Sequence, residues 1–125
     1  MNREIMFRGL FETGEWVYGH LYQDETGSYI KKSQKGSRFG CGLPVLPESI
    51  GQLVGIDNEF GHKIFEGDII HSDQWNPKTY QVCYDRGAFY IAGKDKHEVA
   101  DIKYAERFKV IGNIHQNIEL LTKNK

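Results

Sequence analysis

Glu66 and Asp68 stand two residues apart around Gly67. Paired carboxylates can do acid–base work, but a Glu-Gly-Asp triplet between Phe65 and Ile69 is explained by a turn alone. Glu66, Gly67 and Asp68 are therefore read as a structural turn, and a hydrolase built on the two acids ranks last of three functional readings. The five histidines, at 20, 62, 71, 97 and 115, lack the close pairing, roughly three to five apart, that marks zinc sites. Asp57, Asn58 and Glu59 resemble the opening of a calcium loop, but its alternating ligands and distal Glu are missing. Gly40 and Gly42 fit neither the dinucleotide glycine pattern nor the lysine-bearing one. Neither Cys41 nor Cys83 has a neighbouring His that would mark a nucleophile. The expectation is no catalytic residue, no metal and no cofactor.

Two binding chemistries remain. Residues 31–43, KKSQKGSRFGCGL, carry Lys31, Lys32, Lys35 and Arg38 with three glycines and no acidic residue. They show neither strand nor helix period, so the stretch reads as a loop, either a phosphate-binding arm or a solvated surface. Tyr18, Tyr80, Tyr84, Phe89 and Tyr90 could stack bases on a sheet face, although aromatics on strands more often fill a core.

The elements that position these residues read mainly as strands. Ile5 to Phe11 sets Ile5, Phe7 and Phe11 on one face and Met6, Arg8 and Leu10 on the other. Trp16 to Tyr22 follows a Thr13-Gly14-Glu15 turn, with Trp16 and Tyr18 opposite Val17 and Leu21. Asp24 to Gly27 turns back into Ser28-Tyr29-Ile30, which completes an N-terminal meander. Leu43 to Pro47 is extended, because residues before Pro avoid helix. Glu48 to Ser72 organises the rest: strand Gln52–Ile56, turn Asp57–Gly61, the pair Ile64-Phe65, the Glu66–Asp68 turn, and strand Ile69–His71. Thr79–Asp85 and Ala88–Ala92 form a hairpin closed by Arg86-Gly87. In residues 97–107, Val99, Ile102 and Ala105 sit at helical spacing, which suits one to two helical turns. Phe108–Ile114 is a final strand, and Asn117 is placed to cap one helical turn over Ile118–Leu121.

Composition agrees. The chain has 125 residues, suited to one domain, and its 14 glycines favour turn-rich β structure over a helix bundle. Seven Tyr, seven Phe and two Trp supply the area for a packed core. Sixteen basic against 17 acidic residues give a net charge of -1, so no global attraction to nucleic acid or an anionic membrane follows. No apolar run approaches the roughly 18 residues that span a bilayer, and no stretch reads as a signal peptide. Two distant cysteines then read as reduced thiols in a cytosolic protein.

Four separated segments together resemble the YopX family of small phage and prophage proteins. They are the basic-flanked Arg3 to Arg8; Ser49-Ile50-Gly51-Gln52 with Gly55-Ile56 and Gly61 to Ile69; Val82-x-Tyr84-Asp85-x-Gly87-Ala88-Phe89-Tyr90; and Val110 to Ile114 with Asn117 and Glu119-Leu120-Leu121. One departure is Ile118, where the family usually has Pro. The resemblance implies a mostly β protein of phage or prophage origin in a bacterial cytoplasm. It also implies a small SH3-like barrel over residues 64–114, makes an irregular segment or a short strand as good a reading of 97–107 as helix, and brings no catalytic residue.

The combined expectation is a mainly β chain: an N-terminal meander over 1–47 with its basic loop, then a YopX-like barrel region over 48–125. The expected function is a non-enzymatic accessory protein that assembles with itself or binds a host or phage protein. The alternative is a nucleic-acid-binding barrel using Lys31, Lys32, Lys35 and Arg38 with strand aromatics. Open strand edges and strands apolar on both faces point to a homo-oligomer.

Overall fold

A computed structural model describes residues 5–31, 42–75, 77–93 and 98–123. The chain divides into two units, residues 1–53 and 54–125.

In the first unit, period-two alternation sorts the side chains. β1 (Phe7–Leu10), β2 (Trp16–Asp24), β3 (Gly27–Lys31), β4 (Leu43–Val45) and the start of β5 (Gly51–Asp57) lie in the order β4-β3-β2-β1-β5. All are antiparallel, with Gly9 opposite Val17, Leu21 opposite Ile30, and Phe7 opposite Gln52. Val17, Ile30 and Val45 form the core, with Phe7, Phe11, Leu21, Leu43 and Ile50 packed around them. Fully burying such side chains contributes about 1.5–3 kcal/mol each. Trp16 and Tyr18 take the opposite face, as the alternation requires, and Arg8 and Leu10 on β1 are buried there. A 3₁₀ turn at Pro47–Ser49 is pinned by the Ser49 hydroxyl, which accepts from the Leu10 N–H at 2.7 Å and donates to the Leu46 carbonyl at 2.6 Å.

The β2–β3 turn is built on Asp24. Its carboxylate accepts from the Thr26 hydroxyl at 2.6 Å, the Thr26 N–H at 2.8 Å and the Gly27 N–H at 3.2 Å. The Thr26 hydroxyl first, then its N–H, hold the Asp24 carboxyl below its ordinary range, with smaller help from Gly27 and Tyr22.

The second unit continues β5 to Asp57, beside β6 (Lys63–Phe65). There follow β7 (Asp68–His71), β8 (Thr79–Asp85), β9 (Ala88–Ala92), β10 (Val99–Asp101), a 3₁₀ segment at Ile102–Arg107, β11 (Lys109–Asn113) and α1 (Glu119–Lys123). Strands β7 to β11 form one antiparallel sheet in the order β10-β9-β8-β7-β11. The last of these five strands returns beside the first, as a barrel over 64–114 would need. The sheet does not close, however: β10 and β11 are its two ends and do not pair with each other. β10 pairs over only three residues, and β11 breaks register between Val110 and Gly112, which leaves little ladder for closure. Ile64, Ile70, Val82, Ile91, Ala105 and Phe108 fill the core with Val54 and Tyr80.

Residues 98–107, the described part of that stretch, use both readings in turn. Val99–Asp101 extend as β10, and the Asp101 carboxylate then accepts from the Lys103 N–H at 2.9 Å and starts the 3₁₀ segment. At the chain's end the expected cap is corrected. The Asn117 side chain accepts from the Asn113 N–H at 3.2 Å, and the helix begins at Glu119. The β8–β9 hairpin closes with positive φ at both Arg86 (53°) and Gly87 (82°), the conformation whose twist matches the strands.

The Glu66-Gly67-Asp68 turn is the unit's most connected joint. Gly67 has φ 95°, donates its N–H to the Val82 carbonyl at 2.9 Å and accepts from the Ile114 N–H at 2.9 Å. Asp68 is 2% exposed and its carboxylate accepts from the Phe65 N–H at 2.9 Å.

Two outcomes are expected. Gly67→Val should lower stability by more than about 1 kcal/mol, since a β-branched residue is penalised at that φ; an unchanged thermal melt would remove the turn's role. A group with a depressed folded pKa stabilises above its unfolded value and loses that contribution as pH falls through the folded one. The Thr26 amide should therefore titrate with a midpoint below about 3.9, the ordinary Asp value, in an NMR pH series. A midpoint at or above that value would contradict the turn geometry.

Candidate functional site

The second unit has a cleft of about 300 Å³ that three separate stretches build. The first is the Asp57–Gly61 turn. Asn58 is buried, and its side-chain oxygen accepts from the N–H groups of Phe60 (3.0 Å) and His62 (2.9 Å). Its side-chain nitrogen donates to the Phe108 carbonyl at 3.1 Å, and the Glu59 N–H donates to the Glu106 carbonyl at 2.7 Å. Those two long-range bonds fasten Glu59 and Phe60 against the end of the 3₁₀ segment, which supplies Arg107, and the start of β11, which supplies Lys109.

The second stretch is the loop after β7. The Ser72 N–H donates to the Lys78 carbonyl at 2.9 Å, and the Trp75 N–H to the Ser72 carbonyl at 3.3 Å. The Trp75 ring packs on Phe108 (5.0 Å between centroids), Tyr104 (5.3 Å) and, edge-on, Tyr80 (5.9 Å). Tyr80 is in turn edge-on to Phe108 at 5.5 Å. Burial pushes the Tyr80 phenol above its ordinary pKa, and Glu98 adds to the shift. Tyr80 is thus core. Tyr84 is exposed and stacks edge-on against Phe89 at 5.0 Å.

His71 forms the cleft's fixed point. Its Nε2 lies 3.0 Å from the Asp73 carboxylate and its Nδ1 3.1 Å from the Thr79 hydroxyl. A ring that donates from Nε2 to the carboxylate can accept the Thr79 hydroxyl at Nδ1. Hydroxyl, imidazole and carboxylate in that order have the composition of a nucleophile–base chain. Thr79 is only 4% exposed, however, and Asp73 lies at the solvent end, so the chain orients the imidazole rather than presenting a nucleophile. Around it stand carboxylates at Glu59 and Asp73, cations at Arg107 and Lys109, and the rings of Phe60 and Trp75.

Of the residues singled out in the sequence, Glu59 and His71 line the cleft and Asn58 braces it, while the basic stretch, the Glu66–Asp68 turn and the cysteines lie elsewhere. Lys31 is exposed at the end of β3; Lys32, Lys35 and Arg38 fall outside the described residues, as does Cys41. Glu66 and Asp68 flank Gly67 in the turn already described. Cys83 is a buried thiol on β8, its Sγ 3.7 Å from the Gln81 carbonyl. Among the described residues, no three His, Cys, Asp or Glu side chains gather as a metal site requires. The cleft residues carry no motif. The one local signal is His71 two before Asp73, at the end of an apolar strand.

The family model of the YopX protein matches residues 7–122. The chain belongs to the YopX family. No curated protein matches it. Among solved structures, the crystal structure of protein EF1440 from Enterococcus faecalis is 22% identical, covers 96% of this chain and 99% of its own, and superposes with a TM-score of 0.55. That likeness is one of fold. For this YopX-family chain the cleft therefore has to be judged on its own chemistry.

Trp75→Ala should destabilise the protein by about 2 kcal/mol or more in chemical denaturation, because it removes the ring that three others pack against. Phe60→Ala should stay within about 0.5 kcal/mol, as Phe60 is 52% exposed. Equal losses would mean that Phe60 is structural.

Proposed function

We propose that this YopX-family protein is a non-enzymatic accessory protein, encoded by a phage or prophage and acting in the bacterial cytoplasm, that binds a protein partner through the cleft of its second unit. The observation that carries this reading is Phe60. The chain holds a half-exposed ring on a turn braced by six hydrogen bonds from and to buried Asn58 and the neighbouring Glu59, which a solvent-facing loop does not need. Exposed aromatics beside Arg are the residue types that dominate protein interfaces. Charges of both signs at the rim suit a protein surface better than a polyanion, which would meet Glu59 and Asp73. The inaccessible Thr79 hydroxyl supports the non-catalytic part of the reading.

A second copy is a weaker candidate for the partner. β4, β6 and β10 are three residues long, β4 contains Pro44, and β11 breaks its register. Such ends discourage strand-to-strand addition.

The test is affinity capture from nuclease-treated bacterial lysate with the wild-type protein, Phe60→Asp and Arg107→Glu. A protein retained by the wild type and lost by both folded variants supports the reading. Identical capture by all three would overturn the cleft as the site. Sedimentation equilibrium at micromolar concentration adds the other arm. A dimer of the 14.4 kDa chain that the same variants dissociate would replace the foreign partner with a second copy.

A further inference from the structure

The face of β2 and β3 turned away from their core has a different chemistry. Alternation sends Val17, Leu21 and Ile30 inward and leaves Tyr18, His20 and Tyr22 outward. The register sets Lys31 opposite His20 and Tyr29 opposite Tyr22 on the same side. Tyr18 is 43% exposed and Tyr22 55%. The Tyr22 and Tyr29 rings lie 6.3 Å apart at 43°, and the Tyr29 hydroxyl is fixed at 2.8 Å from the Thr26 hydroxyl. Further along, Trp16 shares this face and has the Arg8 guanidinium 4.2 Å from its ring. The one carboxylate on this side of the two strands is Asp24. It is occupied by Thr26 and Gly27 at the turn, with a weaker contact from the Tyr22 hydroxyl. From Thr26 to Pro47 the sequence contains no Asp or Glu.

Exposed tyrosines alone would be ordinary strand formers. Here three rings lie on one continuous surface, with one ring fixed by its hydroxyl, a cation at the rim and no available carboxylate. Every base has a π-face, and aromatic platforms beside cations take single strands without regard to sequence. We propose that the outward face of β2–β3 binds single-stranded nucleic acid, with bases stacked on Tyr18, Tyr22 and Tyr29 and the backbone phosphate on Lys31. The site uses none of the cleft residues, so either proposal can fail alone.

Fluorescence anisotropy tests it, with the full chain titrated into labelled oligothymidylate and oligouridylate long enough to cover a site of roughly 4–16 nucleotides. Binding that weakens from low to physiological salt is expected. Tyr22→Ser should weaken it by about tenfold, Tyr22→Phe should restore it, and Lys31→Ala should flatten the salt slope by about one. A duplex of equal length should bind less well than either single strand, because paired bases cannot stack on the rings. Preference for one oligomer identifies RNA or DNA as the ligand. No binding up to about 100 µM at low salt would overturn the proposal, that being the weak end of non-specific affinity. So would equal affinity of Tyr22→Ser with an unchanged melt, or equal affinity for duplex, which would leave charge alone as the cause.

Discussion

A carboxylate as deeply buried as Asp68 is retained only where hydrogen bonds meet it. The Phe65 N–H does so across the Glu66-Gly67 turn. The same turn sends the Gly67 N–H to β8 and receives the Ile114 N–H from the end of β11. One joint thus fixes where β7 starts, how β8 lies beside it, and where the chain arrives after β11. The register follows: Ile69 faces Gln81 on one side and Gly112 on the other, and Asp68 faces Asn113. A one-residue slip would expel Asp68 from its N–H and turn Ile69 and Ile70 to their opposite faces. Because β7 lies between β8 and β11, the apolar core of the second unit depends on this turn keeping its shape.

Such a local constraint is what a sequence displays well. Thr79–Asp85 and Ala88–Ala92 are read to their last residue, because clean alternation is bounded by Arg86-Gly87, which forces a two-residue turn. The Glu-Gly-Asp punctuation is equally visible, since a turn residue announces itself wherever it sits. Positions whose partners lie far along the chain are not visible. Asn117 has the identity of a helix cap, yet its oxygen goes to Asn113, a choice made by β11 ending four residues earlier. Val99, Ile102 and Ala105 keep helical spacing while only the last two enter the 3₁₀ segment, because Val99 finds Ala92 across a strand pair. Closure of the barrel fails for a related reason: it depends on how the end strands meet, which no single strand encodes.

The cleft shows the same limit more sharply. Phe60 and Arg107 are 47 positions apart in sequence and meet because Asn58 and Glu59 bond to the backbone at 106 and 108. Asp57 to Gly61 reads locally as a turn, which it is, and nothing local says that its buried Asn serves a second element. His71 and Asp73 were the accessible signal: a titratable pair two apart where a strand gives way to a loop. The outward face of β2–β3 was legible only in part, since alternation identifies Tyr18 as opposite Val17 but not Lys31 as opposite His20.

An aromatic sheet face left open to water is hazardous when the sheet also offers long free edges, because a second chain can then add by strand pairing and stack its rings. The first unit avoids that combination. Beside β3 lies β4, three residues long, with Pro44 opposite Tyr29. Proline has no N–H to offer a neighbouring strand, so the edge nearest the exposed tyrosines is also the one least able to recruit another backbone. Each exposed ring carries a hydroxyl, as Phe would not, and the Tyr29 hydroxyl is already bonded to Thr26. Blunting of the edge removes the backbone route to association and leaves the ring faces as the adhesive feature. A surface of that kind selects for flat, stackable ligands over another sheet.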